Sequence, residues 1–378
     1  MNKRRGTTVF TVVVTAVTVI GALIMGVVLL LTGAPTALVI GSFLAFLPVG
    51  PLVWCYLWLD RYEPEPRQLL ALAMGWGAFV ATSGALILQL LDASVFAPSE
   101  FFSGAVVAPI TEEAAKGLFI LLLFWFRRRE FDGVVDGLVY AGMIGIGFAF
   151  TENILYLSNA YTGDEDLAGG LGSAVAVFVL RGVFSPFAHP FFTAFTGIGI
   201  GMAVTNRNPA LRILGPVIGF ALAVLSHGLW NASLLGTGEY ALLAYIGVMV
   251  PAFVLLVGFA IWVSRREGRM LTEALTDCAQ RGFLPLVEVP WLVRIPARRT
   301  ARRVAKQRGG KTALSVMREY QGEAVDLGLL HARYLRGSAP EGFAVRGQAH
   351  VDRMAQLRPY LLWPGPASQS VITSGGPW

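Results

Sequence analysis

Eight apolar runs, each long enough to cross a bilayer as a helix, constrain this chain more than any other feature. They cover roughly residues 8–32, 36–59, 67–91, 101–126, 134–158, 171–204, 210–235 and 240–264. A hydrocarbon core of about 30 Å takes about 20 apolar residues in helical form. Within it each backbone polar group must be paired inside the segment, because no water is present to do so. The expected fold is therefore all-α, a polytopic membrane protein of about eight transmembrane helices. Composition agrees: 55% of residues are hydrophobic and 14% are charged, against about 25% charged in a soluble domain.

The loops between the runs carry a directional signal. Alternate connections hold Lys3, Arg4 and Arg5, then Arg61 and Arg67, Arg127 to Arg129, Arg207 and Arg212, and finally Arg265, Arg266 and Arg269. The intervening connections contain no Lys or Arg, but do contain Asp92, Glu100, Asp164, Glu165, Asp166 and Glu239. Basic loops stay in the cytoplasm, so this phase places both termini on the cytoplasmic side of the cell membrane. The first run exceeds a signal-peptide core in length and is followed by Pro35, so it reads as a retained span. Two domains are expected: an eight-span membrane domain over 1–269, and a basic, mostly helical cytosolic region over 270–378 that includes ARRTARRVAKQR at 297–308. Residues 265–378 hold 18 Lys and Arg against 9 Asp and Glu, which suits a solvated region beside anionic lipid. Nucleic acid is not implied, because the basic residues sit in membrane-flanking loops and the tail. Cys55 and Cys278 are too far apart in sequence to form a C-x-x-C site or a disulfide framework.

Against this background a few ionisable residues stand inside spans: Glu112, Glu113, Lys116, Glu152, Arg181, His189 and His227. Each carries an insertion cost of about 2.5–3.5 kcal/mol for a charge at the bilayer centre, which makes it a functional candidate by default. In PITEEAAK, Glu112 and Lys116 are i,i+4 and Glu113 and Lys116 are i,i+3, so both pairs can meet on the helix surface. One acid paired with Lys116 and a second free for chemistry is the expected division, with Glu113 the favoured base. Phe148 and Glu152 share a helical face, as do His227 and Asn231. Pro186 and Pro190 flank His189 in the sixth run, and each removes a helical hydrogen bond, predicting a break there.

Acid and imidazole side chains from four helices can hold a water, directly or through a divalent metal such as zinc, against a peptide carbonyl. Glu152, His189 and His227 are the candidate metal ligands, and Asn231 is placed to polarise the carbonyl. Lys116, Phe148 and Arg181 are supporting residues. No H-E-x-x-H occurs, which excludes the common zincin arrangement. Two other classes stay open: a proton- or cation-coupled transporter using the same buried acids as a relay, and a non-catalytic scaffold acting through the basic tail. The absence of a visible inverted repeat argues against the transporter.

The ordered set E-E-x-x-K at 112–116, F-x-x-x-E at 148–152, His189 and H-x-x-x-N at 227–231, on successive spans, resembles the PrsW family of intramembrane proteases within the CAAX-processing superfamily. DGLVYAGMIGIGFAFTENILY from Asp136 to Tyr156 carries much of the likeness, which covers about residues 40–260. The resemblance implies an endopeptidase that cuts a membrane-anchored protein, typically an anti-sigma factor, on its extracytoplasmic side. It assigns functional roles to Glu112, Glu113, Glu152, His189 and His227, with Asn231 added by its motif, and it leaves metallo- and glutamate-type chemistry both open.

Overall fold

The computed structural model describes residues 2–127, 131–163, 168–206, 208–236, 238–337 and 339–364. Arg128, Arg129, Asp164, Glu165, Asp166, Arg207 and the Gly/Pro/Ser-rich end of the tail lie outside the described residues. Every regular element among the described residues is helical. The chain forms two compact units, Met1–Asp60 with Pro64–Ala260, and Arg61–Glu63 with Ile261–Trp378.

In the first unit α1 (Asn2–Thr32) is followed by α2 (Pro35–Phe46) and α3 (Val49–Leu59), which Pro48 separates. Next come α4 (Arg67–Gly75), a π-helical stretch at Trp76–Ala81 and α5 (Thr82–Phe96). The short α6 (Glu100–Phe102), a second π stretch at Ser103–Val107 and α7 (Ala108–Phe126) run on as one helix. Then follow α8 (Val134–Thr162), α9 (Leu171–Phe178) with a π stretch at Val179–Phe184, α10 (Ala188–Thr205), α11 (Pro209–Leu235), α12 (Gly238–Ala244), a π stretch at Tyr245–Met249 and α13 (Val250–Gln280).

Seven of the eight expected spans are long and apolar enough to cross a membrane: Thr8–Leu31, Pro35–Leu59, Arg67–Phe96, Val134–Thr162, Leu171–Thr205, Pro209–Leu235 and Glu239–Gln280. The remaining one, Glu100 to Phe126, is comparable in length. It differs in carrying Glu112, Glu113 and Lys116 in its middle, all three buried. The outward faces of the spans are apolar: Leu31, Val39, Phe43, Leu243 and Leu255 are all more than half exposed. In water such a surface would drive association, whereas in a bilayer it faces acyl chains.

The inner helix is α8. Its start is set by Asp136, whose Oδ2 accepts from the backbone N–H groups of Asp132 (2.7 Å) and Gly133 (2.8 Å), satisfying donors that a helix N-terminus leaves open. Leu138, Tyr140, Ile144 and Phe148 are buried along it. Lipid tails are as apolar as leucine, so membrane helices associate through close packing of small residues. Two glycines make this concrete. A Cβ at Gly147 would lie 2.0 Å from the Met74 carbonyl oxygen, and one at Gly145 would lie 2.5 Å from Pro190 N. These contacts seat α4 and α10 directly on α8. The expected break in the sixth span falls at Ser185–Phe187, and α10 starts again at Ala188, so His189 sits in the first turn of a new helix.

The second unit holds the later part of α13 with α14 (Val289–Val293), α15 (Ile295–Leu335) and α16 (Phe343–Leu357). It has its own core, including Leu275, Leu292, Met317, Tyr320 and Met354. The arginine-rich stretch forms the first part of α15, with Ala301 and Ala305 buried one turn apart while Arg299 and Arg303 are exposed. A kink at Gly309–Gly310, with Gly310 at φ +67°, turns the rest of α15 back, a conformation that glycine adopts without a Cβ penalty. Buried Arg298 donates to the Tyr62 carbonyl oxygen at 2.9 Å. Burial pushes the Glu288 carboxyl above the usual range, opposed by the Tyr320 hydroxyl and by Arg358, whose Nε is 3.1 Å away.

Candidate active site

Four helices converge on one cluster. Residues 112–116 of α7, Phe148 and Glu152 of α8, His189 and Thr193 of α10 and His227 of α11 supply its side chains. Trp76 Nε1 donates to the Ala115 carbonyl oxygen at 2.9 Å and fixes α7 at that level.

At the base of the cluster lies Glu113, which has no exposed surface. Its Oε1 accepts from Lys116 Nζ (2.9 Å) and faces His227 Nδ1 (3.1 Å), and its Oε2 accepts from the Thr193 hydroxyl (2.9 Å). A carboxylate can only accept, so His227 presents its Nδ1–H to Glu113, and the tautomer with that proton is the one whose Nε2 offers a lone pair. That Nε2 is 3.7 Å from Glu112 Oε2. A carboxylate placed in this way fixes the orientation of the imidazole ring. Thr193 gave no signal in the sequence, since a threonine in an apolar helix costs little. Thr193→Val keeps the shape and removes one donor to a buried carboxylate, so it is expected to lower stability by about 1–3 kcal/mol. A thermal melt of the detergent-solubilised protein reads this as a reduced midpoint.

Glu112 is placed differently. It lies at 3.4 Å from Lys116 Nζ and 3.4 Å from Gln89 Nε2, both long for hydrogen bonds, and it lines the cavity described below. Gln89 is a second contributor that the sequence analysis did not single out; its only signal is an amide within the apolar run of the third span. Lys116 is fully buried. Besides the two acids, its ammonium meets His189 Nδ1 at 3.1 Å and lies 3.7 Å from the centre of the Phe148 ring, a cation–π contact.

Glu152 is held from two sides. His189 Nε2 is 2.7 Å away, and Arg181 pairs with the same oxygen while its Nε donates to Asn153 Oδ1 at 2.7 Å. The Arg181 guanidinium also covers the Tyr156 ring at 4.0 Å. The two imidazoles stand edge to face with centroids 5.3 Å apart, and Phe192 stacks on His227 at 4.6 Å. Asn231 is the outlier of the expected set. Its Nδ2 donates to the Gly104 carbonyl oxygen at 2.9 Å, tying α11 to the π-helical stretch before α7.

Above the cluster opens a cavity of about 590 Å³. Glu112, Glu152, His189 and His227 reach its wall together with Arg181 and Asn231, while Glu113 and Lys116 do not. Asp92 and Glu100 also line it.

The donor set admits a divalent metal if His189 exchanges one of its two present partners, Lys116 at Nδ1 (3.1 Å) or Glu152 at Nε2 (2.7 Å), for the ion. Ligand atoms of Glu112, His189 and His227 all lie within 4.8 Å of one another. One carboxylate with two imidazoles is a set that zinc uses, with bonds of about 2.0–2.2 Å. The 3.7 Å between His227 Nε2 and Glu112 Oε2 is a separation across which two ligands can close on one ion. Glu152, expected from the sequence as a ligand, stands behind His189 and in contact with Arg181 in this arrangement.

Comparison with known proteins points to one family. The family model described as PrsW family intramembrane metalloprotease matches residues 65–256. A protein named Protease PrsW from Oceanobacillus iheyensis is 28% identical over 211 residues, covering 56% of this chain and 88% of its own. The Bacillus subtilis protein of that name is 26% identical over 213 residues, covering 56% and 88%. The Clostridioides difficile one is 28% identical over 209 residues, covering 54% and 84%. No solved structure matches the chain significantly. The family match ends before the arginine-rich region and takes in every helix that lines the cavity, and on that evidence the chain belongs to the PrsW family of intramembrane metalloproteases.

Proposed function

We propose that the protein is an endopeptidase that cuts a membrane-anchored protein, an anti-sigma factor being the class the family suggests, with water activated at Glu112, His189 and His227. The observation that supports this reading is that Glu112 is the member of the acid pair that lines the cavity, in company with both histidines. The cavity is bordered by the acidic, Arg-free connection between the third and fourth spans through Asp92 and Glu100, which with the loop-charge pattern favours cleavage on the extracytoplasmic side and cytoplasmic termini.

Glu112, His189 and His227 would hold the metal. The chemistry such an ion supplies when bound is Lewis acidity, which brings the pKa of water to about 7. The protein residues have separate tasks. Glu113 keeps the His227 proton on Nδ1 and directs Nε2 to the cavity. Lys116 balances the charge of the acid pair. Glu152, held by Arg181, keeps His189 turned toward the cavity wall and is positioned to relay a proton to the leaving amine. Asn231 acts as a positioning residue, holding the Gly104 segment that forms one side of the cavity, in place of the carbonyl-polarising role expected from its motif.

Metal analysis of purified protein tests the reading. Wild type is expected to hold close to one zinc per chain, and His227→Ala to lose it, because a structural partner change alone leaves metal content untouched. Equal metal in both proteins, or none in active wild type, would overturn the metal assignment.

A further inference from the structure

We propose that the second unit carries a binding site for the phosphodiester headgroup of an anionic phospholipid, formed by Arg266, Arg269 and Arg336. A cavity of about 410 Å³ opens between α13 and the C-terminal end of α15, lined by these three arginines with Trp262, Met270, Glu273, Ala332 and Leu335. Its formal charge is three guanidinium groups against one carboxylate. All three arginines are exposed. Among the described residues neither Arg266 nor Arg269 forms an ion pair, and Arg266 instead lies 5.6 Å from the centre of the Trp262 ring. Arg336 Nε donates to the Ala332 carbonyl oxygen at 3.2 Å, which keeps its guanidinium beside the helix end.

Two features favour a lipid over a free anion. The first is location. The arginines begin one turn beyond Trp262, on the same helix in which the last apolar run ends, and tryptophan concentrates at the membrane–water boundary. The second is the wall. Half-exposed Trp262 and Leu335, together with Met270, offer apolar surface that a free phosphate does not use and a glycerol backbone with its first methylenes does. Guanidinium forks match phosphate oxygens in pairs, so three of them across one cavity can grip a diester as well as attract it. This site is independent of the proteolytic reading, since none of its residues reaches the catalytic cavity.

The test uses full-length protein in vesicles of equal parts phosphatidylcholine and phosphatidylglycerol, extracted gently and weighed by native mass spectrometry. Wild type is expected to retain phosphatidylglycerol selectively. The triple variant Arg266→Gln/Arg269→Gln/Arg336→Gln should retain at least about tenfold less. A control with the same charge change, Arg299→Gln/Arg303→Gln/Lys306→Gln, alters exposed residues on the first part of α15 and should behave as wild type. Equal loss in both triples would mean diffuse attraction and overturn the site. Displacement of the lipid by millimolar inorganic phosphate would overturn the lipid assignment in favour of a free anion. If the first triple fails to fold, Arg269→Gln alone carries the comparison, with loss of selectivity expected.

Discussion

Glu112→Gln is expected to give a protein that inserts, folds and melts as wild type does while cleavage of a co-expressed membrane-anchored substrate falls by at least about 100-fold. Glu112 is one of the three residues that would hold the metal and activate its water, and positioned water activation by side chains is worth about 10²–10⁴ in rate. Stability should hardly change, because the carboxylate makes only long contacts, 3.4 Å to Lys116 and 3.4 Å to Gln89. Glu113→Gln should behave in the opposite sense. That acid is fully buried and engages Lys116, Thr193 and His227. Removing its charge leaves Lys116 without its nearest partner, and breaking a buried pair costs about 3–5 kcal/mol. Glu113→Gln is therefore expected to be less stable, with activity lost along with the fold. Measured side by side, melting midpoint and substrate cleavage separate the two acids. A stable, inactive Glu113→Gln beside an active Glu112→Gln would reverse the assignment.

Gly145→Ala is expected to reduce cleavage by about 100-fold although it touches no reacting group. The added methyl would fall 2.5 Å from Pro190 N, 2.6 Å from Pro190 Cα and 2.8 Å from the His189 carbonyl carbon. These are backbone atoms that cannot rotate away, so α10 must move off α8. His189 moves with it and draws away from Glu152, now at 2.7 Å. A misplacement of about 1 Å in a catalytic array is worth about 100-fold in rate. Gly258→Ala supplies the comparison: nothing lies within 4 Å of its added carbon, and alanine is about 1 kcal/mol better than glycine in a helix. It should be fully active. Equal activity in the two variants would show that the α8–α10 contact does not set the site.

Much of the membrane domain was legible from residue order. Apolar length marks the spans because a bilayer leaves an unpaired backbone no partner but its own helix. Buried charge marks the candidate site because an ionisable group in lipid carries a cost that makes it a functional hypothesis by default. For the same reason Glu112, Glu113, Lys116, Glu152, Arg181, His189 and His227 all stood out in the sequence and all meet in one cluster. Thr193 and Gln89 did not stand out, since a hydroxyl or amide in an apolar helix is cheap to insert and common. The tail was legible as helical and basic. Its packed core was less so, because in the first part of α15 the buried apolar positions, Ala301 and Ala305, are small alanines lying among arginines.

The sequence by itself determined the all-helical membrane architecture, a break near His189 and the set of ionisable residues that stand inside spans. Tertiary structure decided how that set divides. Glu112 and Glu113 are neighbours, and successive side chains on a helix point about 100° apart, so one turns toward α10 and α11 and the other toward the cavity. Nothing in the order of residues says which. That depends on how α7 rotates against its neighbours, and the indole of Trp76, the hydroxyl of Thr193 and the glycine contacts of α8 with α4 and α10 set it. The same packing gave Arg181 to Glu152 and Asn231 to the Gly104 carbonyl, pairings between residues 29 and 127 positions apart that no local pattern encodes.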